Sequence, residues 1–180
     1  GLQNQYRESK TLNILDKVMA FLPDLVVMTY PLDRHFWQLA DTTKAAGFVS
    51  LRALSWVKQH HSFHPAATYQ QQHEPVLVLR RKGQKYPTSI PAGTTTVIQS
   101  ENSLVAHTDH PTEKPIDVWL KLLKWHTIPG ETLIDPFGGS GTTLIAAAMS
   151  GRKALLIEKS QHFCDVIRRR WTAYNCEVEK

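Results

Sequence analysis

The stretch that most constrains this chain is DPFGGSGTT, residues 135–143. An apolar run, TLID, leads into it, and an Ala-rich segment that Gly151 ends follows it. A second apolar run, KALLIE, then stops at Glu158. Short apolar runs on either side of a helical segment make a strand–turn–helix–strand unit. Gly139 and Gly141 permit a tight turn and close backbone approach. In open α/β sheets such a turn lies at the carboxyl edge, where ligands bind. The helix behind it begins with N–H groups that have no intrahelical partner.

The rest of the chain repeats this alternation. Leu12, Leu15, Met19 and Leu22 predict a helix over residues 11–22. LVVMT, Leu25–Thr29, reads as a buried strand, and residues 33–46 as a helix with Gly47 at its C-terminal cap. FVSLRALSWV, PVLVLRR and TTTVIQS read as further strands. Residues 58–72 are rich in His and Gln without a period and are expected to form a long loop. RRKGQKYPTSIPAG is a basic excursion rich in turn formers, and residues 102–113 a polar loop. Pro115 suits the first position of a helix carrying Ile116, Trp119, Leu120 and Leu123 on one face. Ser160 caps a last helix, with Arg168, Arg169 and Arg170 on its solvated side. The expected fold is α/β: a mainly parallel sheet with helices on both faces, in a single domain over 1–180.

Composition narrows the function classes. No apolar run approaches the roughly 18–20 residues of a membrane-spanning helix. The polar start, GLQNQYRESK, has no secretory-signal pattern. Two cysteines, Cys164 and Cys176, suit a reducing compartment, so a cytoplasmic or nucleoid-associated protein is expected. His60, His61, His64 and His73 lack an acidic or thiol partner at ligand spacing, so no structural metal is expected. A net charge of +5 admits a polyanionic partner.

Three ligands compete for the glycine turn. A nucleoside-triphosphate loop needs Gly-Lys-Ser/Thr, and Thr142 follows Gly141 directly. A dinucleotide fingerprint needs a third glycine where this chain has Leu144. S-adenosylmethionine carries no pyrophosphate and needs neither residue. Glu158, at the end of the next strand, is placed to accept the hydroxyls of a ribose.

These residues, with HPTEKPIDVW upstream, closely resemble the amino-methylating DNA methyltransferases, which act on adenine N6 or cytosine N4. Lys114-Pro115, the turn 135–142 and Glu158 match that family's Lys-Pro, Asp-Pro-Phe-x-Gly-x-Gly-Thr and acidic positions in order and spacing. The resemblance is strong over 110–174 and weak elsewhere. It implies a Rossmann-like methyltransferase fold of the circularly permuted class, with a catalytic and base-pocket half over 1–109 and a cofactor half over 110–180. It implies that Lys114, Asp135, Phe137, Gly139, Gly141, Thr142 and Glu158 hold S-adenosylmethionine. It implies a DNA base flipped from the duplex as substrate, adenine favoured over cytosine.

The family's other motif, Asp/Asn/Ser-Pro-Pro-Tyr/Phe after a buried strand, supplies acceptors to the target amine and a ring to stack on the base. After DLVVM this chain has Thr29, Tyr30, Pro31 and Leu32, and only Pro31 matches. Thr29, Tyr30 and Pro31 are the candidate catalytic residues. The alternative is a catalytically impaired methyltransferase-like pseudoenzyme that binds cofactor, DNA or a partner subunit; a homo-oligomer or an active partner subunit is the further partner expectation. Trp56, His73 and Glu74 resemble residues near the base pocket. Arg80, Arg81, Lys82 and Lys85 form a basic turn and are the candidate phosphate contacts.

Overall fold

The computed structural model describes residues 17–29, 36–62, 68–84, 89–100 and 113–178. The chain divides into two compact units, residues 1–86 with 95–99, and residues 87–94 with 100–180.

In the first unit, β1 (Leu25–Thr29), β2 (Phe48–Ser62), β3 (Gln71–Arg81) and β4 (Val97–Gln99) form one sheet in the order β1-β3-β2-β4. β1 pairs with β3 antiparallel without a break, from Leu25 opposite Arg80 to Thr29 opposite Val76. β2 and β3 pair antiparallel from Phe48 opposite Arg81 to Ser62 opposite Gln71, with register shifts between Ser50 and Arg52 and between Val57 and Ser62. β4 pairs parallel with β2. Parallel pairing therefore does not predominate in this unit, against the expectation of a mainly parallel sheet. The connection from Ser62 to Gln71 is shorter than the roughly dozen residues a parallel crossover needs, so β3 has to return antiparallel.

The same pairing corrects the expected long loop at 58–72. Its first five and last two residues are strand. Their polar His and Gln composition hides this, because strand pairing is made by backbone groups and needs no apolar alternation. β3 lies between two neighbours and buries Glu74 to Leu79 in succession, which accounts for the unbroken apolar run VLVL. Helix α1 (Phe36–Ala45) precedes β2 and ends at Gly47, whose φ of 84° suits a left-handed C-terminal cap. Met19, Val26, Leu39, Phe48, Leu77 and Leu79 form the core of this unit.

Arg81 ties that core together. Its Nη2 donates to the carbonyls of Met19 (3.1 Å), Ala20 (3.4 Å) and Leu22 (2.9 Å), and its Nη1 to Ala46 (3.3 Å). Its guanidinium lies 4.5 Å from the Phe48 ring centroid, and Nε is 3.4 Å from Asp24. Met19 ends the helical residues 17–19 and Ala20 and Leu22 follow it; carbonyls at such an end need donors. Arg81 is thus a structural clamp of the first unit.

The second unit holds α2 (Ile116–His126), β5 (Thr132–Asp135), α3 (Thr142–Met149), β6 (Lys153–Leu156) and α4 (Gln161–Val178). β5 and β6 pair parallel in one register, Thr132 opposite Lys153 to Asp135 opposite Leu156, as the strand–turn–helix–strand reading requires. α3 packs against α2, β6 and α4. Pro115 is the N-cap of α2, extended at φ −63° and ψ 136°, one position earlier than expected. The buried face of α2 carries Val118, Leu122 and His126.

Burial lowers the His126 pKa from the usual 6.5 to about 4. The unfolded imidazole takes up a proton below about pH 6.5, and the folded one only near pH 4. Stability is thus greatest above 6.5 and is lost as the pH falls through this window, by up to about 3 kcal/mol. Chemical denaturation of the wild type and His126→Gln at pH 7 and pH 4.5 checks this. The variant is expected to lose most of that pH difference; an unchanged slope would assign it to other groups.

Candidate cofactor site

The glycine turn is held from beneath by its own carboxylates. Asp135 closes β5 and accepts from Phe137 N through Oδ1 (2.9 Å) and from the Thr143 hydroxyl through Oδ2 (2.6 Å). Gly138 N donates to the Ile157 carbonyl (2.9 Å), and Ile157 N to the Asp135 carbonyl (2.9 Å). The turn is thereby stitched to the end of β6. Glu158 accepts from Gly139 N (2.9 Å) with one oxygen and from Ser160 N (2.8 Å) with the other. Each carboxylate oxygen keeps a further acceptor site after one such bond, so Glu158 retains the capacity to receive two hydroxyls.

Gly139 and Gly141 adopt φ of 52° and 84°. Gly141 is required by packing as well as by backbone conformation. A Cβ there would lie 2.9 Å from Ile167 Cγ1 on α4. At Gly138 a Cβ would meet Leu156 at 3.3 Å and the Ile157 carbonyl at 3.4 Å. Gly138 and Gly141 let the turn lie close against β6 and α4, which refines the expectation that glycine serves ligand approach. No side chain caps the N-terminus of α3 at Gly141.

Lys114 and Thr142 are brought together: the buried Thr142 hydroxyl donates to the Lys114 carbonyl at 3.2 Å. Phe137 is 48% exposed, so its ring is an open apolar surface beside the turn rather than core. Within this unit the structure gathers the expected cofactor set. Asp135, Gly139, Gly141, Thr142 and Glu158 join in one bonded turn, Phe137 sits on it and Lys114 is tied to it. The seven offer one cation, Lys114, and two carboxylates already engaged with backbone N–H groups. That donor set fits a zwitterionic or hydroxyl-rich ligand better than a pyrophosphate.

One participant was missed. Arg170, read as solvated, reaches the turn: its Nη1 is 2.9 Å from the Ser140 carbonyl, 3.0 Å from Ser140 Oγ and 2.7 Å from Glu113 Oε1. Its neighbour Arg168 does face solvent, paired with Asp165 at 2.6 Å.

The chain matches a family described as "DNA methylase" over residues 5–169. It belongs to that family. Among curated relatives, the chain is 43% identical over 54 residues to the putative methylase YubD of Escherichia coli K12, a stretch covering 30% of this chain and 24% of YubD. The matched stretches span a quarter or less of the curated relatives' own lengths. Among solved structures, it superposes on the M1.HpyAVI–SAM complex with a TM-score of 0.76 at 25% identity, over 88% of this chain and 80% of that one. It superposes on TTHA0409 of Thermus thermophilus, complexed with S-adenosyl-L-methionine, with a TM-score of 0.67 at 23% identity, over 93% and 79% of the two chains. The fold is the Rossmann-like α/β fold of the DNA methyltransferases.

The remaining candidates lie in the first unit. Thr29 ends β1 opposite Val76; Tyr30 and Pro31 lie outside the described residues. Trp56 is core, and Glu74 opposite it pairs with Lys58 Nζ at 2.6 Å, the ammonium lying 5.5 Å from the Trp56 ring. His73 is exposed. Of the basic turn, Arg80 Nη1 donates to the Gln84 carbonyl, Lys82 is exposed, and Lys85 lies outside the described residues. Among the described residues there is no metal-ligating cluster, and no helix is long and apolar enough to cross a membrane.

Proposed function

We propose that this chain transfers a methyl group from S-adenosylmethionine to an exocyclic amine of a DNA base, adenine N6 in preference to cytosine N4. The observation that carries the reading is the bonded turn itself, with its two left-handed glycines, its open Phe137 ring and Glu158 oriented by two backbone N–H groups. The methyl donor, when bound, supplies an electrophilic methyl on a sulfonium. Glu158 would receive the ribose hydroxyls, Phe137 and the Gly139 and Gly141 backbone would line the donor, and Lys114 would meet its carboxylate end. Asp135 and Thr142 act by holding the turn and the Lys114 segment in place.

The acceptor role falls to the first unit. An exocyclic amine attacks a methyl only when acceptors draw on its protons. In this reading Thr29 Oγ1 and the carbonyls of Thr29 to Pro31 are those acceptors, and Tyr30 offers the ring. Lys82 and Lys85 would contact backbone phosphates, giving affinity without sequence preference. The DNA substrate and the donor place the protein in the cytoplasm or on the nucleoid.

One observation favours a second reading. Leu32 replaces the stacking aromatic, and Thr29 replaces the anionic or amide acceptor. The chain would then bind donor and DNA while a partner subunit supplies the acceptors. Calorimetric titration with S-adenosylmethionine, followed by transfer of a tritiated methyl to unmethylated DNA, separates the two. The first reading expects binding, then N6-methyladenine in the digested product. Binding without transfer by the isolated chain sinks it in favour of the second. No binding at all sinks both.

A further inference from the structure

We infer that Arg170 and Glu113 form a positioning clamp that sets the geometry of the donor site; this rests on the methyl-donor reading. The clamp connects three places far apart in sequence. Arg170 lies on α4, Ser140 stands between the two left-handed glycines of the turn, and Glu113 directly precedes Lys114. One guanidinium nitrogen reaches Ser140 O (2.9 Å), Ser140 Oγ (3.0 Å) and Glu113 Oε1 (2.7 Å). The side chains are 14% exposed for Arg170 and 2% for Glu113.

Burial at this level decides what the pair does. A solvated ion pair contributes little and holds nothing in place. A buried pair is costly to break, because the remaining charge has lost its hydration. Glu113 is thus held to the guanidinium, and the guanidinium to the Ser140 carbonyl. The bond from Thr142 Oγ1 to the Lys114 carbonyl closes the ring on the other side. The turn and the Lys-Pro segment, which are the two walls of the proposed donor site, are fixed relative to each other at both ends. Neither Arg170 nor Glu113 needs to touch the donor for this. Gly139 and Gly141 are conformationally permissive on their own. The clamp restricts the carbonyl between them, and so the direction of the N–H groups that face a ligand.

The test uses the full chain and S-adenosylmethionine as the probe. Arg170→Met removes the clamp. Arg170→Lys keeps a cation, but its shorter stem cannot carry a nitrogen to the place from which Nη1 reaches both Ser140 and Glu113. Arg168→Met, on the exposed side of the same helix, is the control. Each variant is first shown to be folded by circular dichroism and its thermal midpoint. Donor Kd is then measured by calorimetry, and donor KM and kcat by methyl transfer. The clamp predicts that Arg170→Lys stays folded and yet binds the donor roughly tenfold or more weakly. Donor KM should rise with it, while kcat at saturating donor changes little. Arg168→Met should match the wild type throughout. Should Arg170→Met not fold, Arg170→Lys and Glu113→Gln still decide the matter. Variants that lower the thermal midpoint but bind donor like the wild type would overturn the clamp and leave the donor reading intact. A wild type that binds no donor would overturn both.

Discussion

Replacing Gly141 by alanine is expected to destabilise the second unit by about 2–4 kcal/mol and to abolish donor binding at ordinary concentrations. Two costs combine. The residue sits at φ 84°, where a Cβ is unfavourable by about 1–2 kcal/mol. The new methyl would also lie 2.9 Å from Ile167 Cγ1, an atom next to a branch point that cannot swing aside cheaply. α4 must then move off the turn, carrying Arg170 with it. Gly130→Ala supplies the comparison. Gly130 has φ 91°, but no atom lies within 4 Å of where its Cβ would be. It should show the conformational cost alone, about 1–2 kcal/mol, and leave donor affinity unchanged. Equal thermal midpoints for the two variants would show that contact with Ile167 contributes nothing.

Arg81→Ala is expected to lower stability by about 2–4 kcal/mol without acting primarily on DNA affinity. It strips donors from the carbonyls of Met19, Ala20, Leu22 and Ala46 and uncovers the Phe48 ring. Bonds from a charged donor contribute about 1.5–3 kcal/mol each, but not additively when one group makes them all. Lys82→Ala, one residue on and exposed, should change stability by less than about 0.5 kcal/mol. If the proposed phosphate contact is right, Lys82→Ala instead reduces the salt dependence of DNA binding by about one unit. Urea denaturation and DNA titration at two salt concentrations distinguish the pair. An Arg81→Ala protein of normal stability with weakened DNA binding would restore Arg81 to the phosphate contacts.

What the sequence disclosed and what it hid follow a physical division. The turn, β5, α3 and β6 were legible because glycine, proline and short apolar runs act locally, and Asp135, Gly139 and Glu158 are bonded within one turn of the fold and lie close in the chain. β1, α1 and α2 were legible as elements for the same reason, although α2 buries Val118, Leu122 and His126 rather than the expected face of Ile116, Trp119, Leu120 and Leu123. Strand direction was not, since LVVMT looks alike beside a parallel or an antiparallel partner. The polar arms of the β2–β3 hairpin were hidden because their pairing is made by backbone. The structural bonds of Arg81 and Arg170 were hidden because long side chains carry their charge to distant partners: Arg81 binds a carbonyl 62 residues away, and Arg170 one 30 residues away. A basic cluster in sequence says how many cations are present, but not how many remain for a polyanion.

The strand order also dictates an order of assembly. β1 has β3 as its partner, and pairing Leu25 with Arg80 closes the whole stretch of chain between them. The β2–β3 hairpin closes a far shorter loop, and loop-closure entropy favours the shorter loop first. β1 and its Thr29 therefore join a hairpin already formed. Amide protection in pulse-labelled refolding should reach Leu77 and Leu79 through β2 before it reaches Val26 and Met28. β1, which ends at Thr29, would be among the last parts of its sheet to settle, and among the first to open.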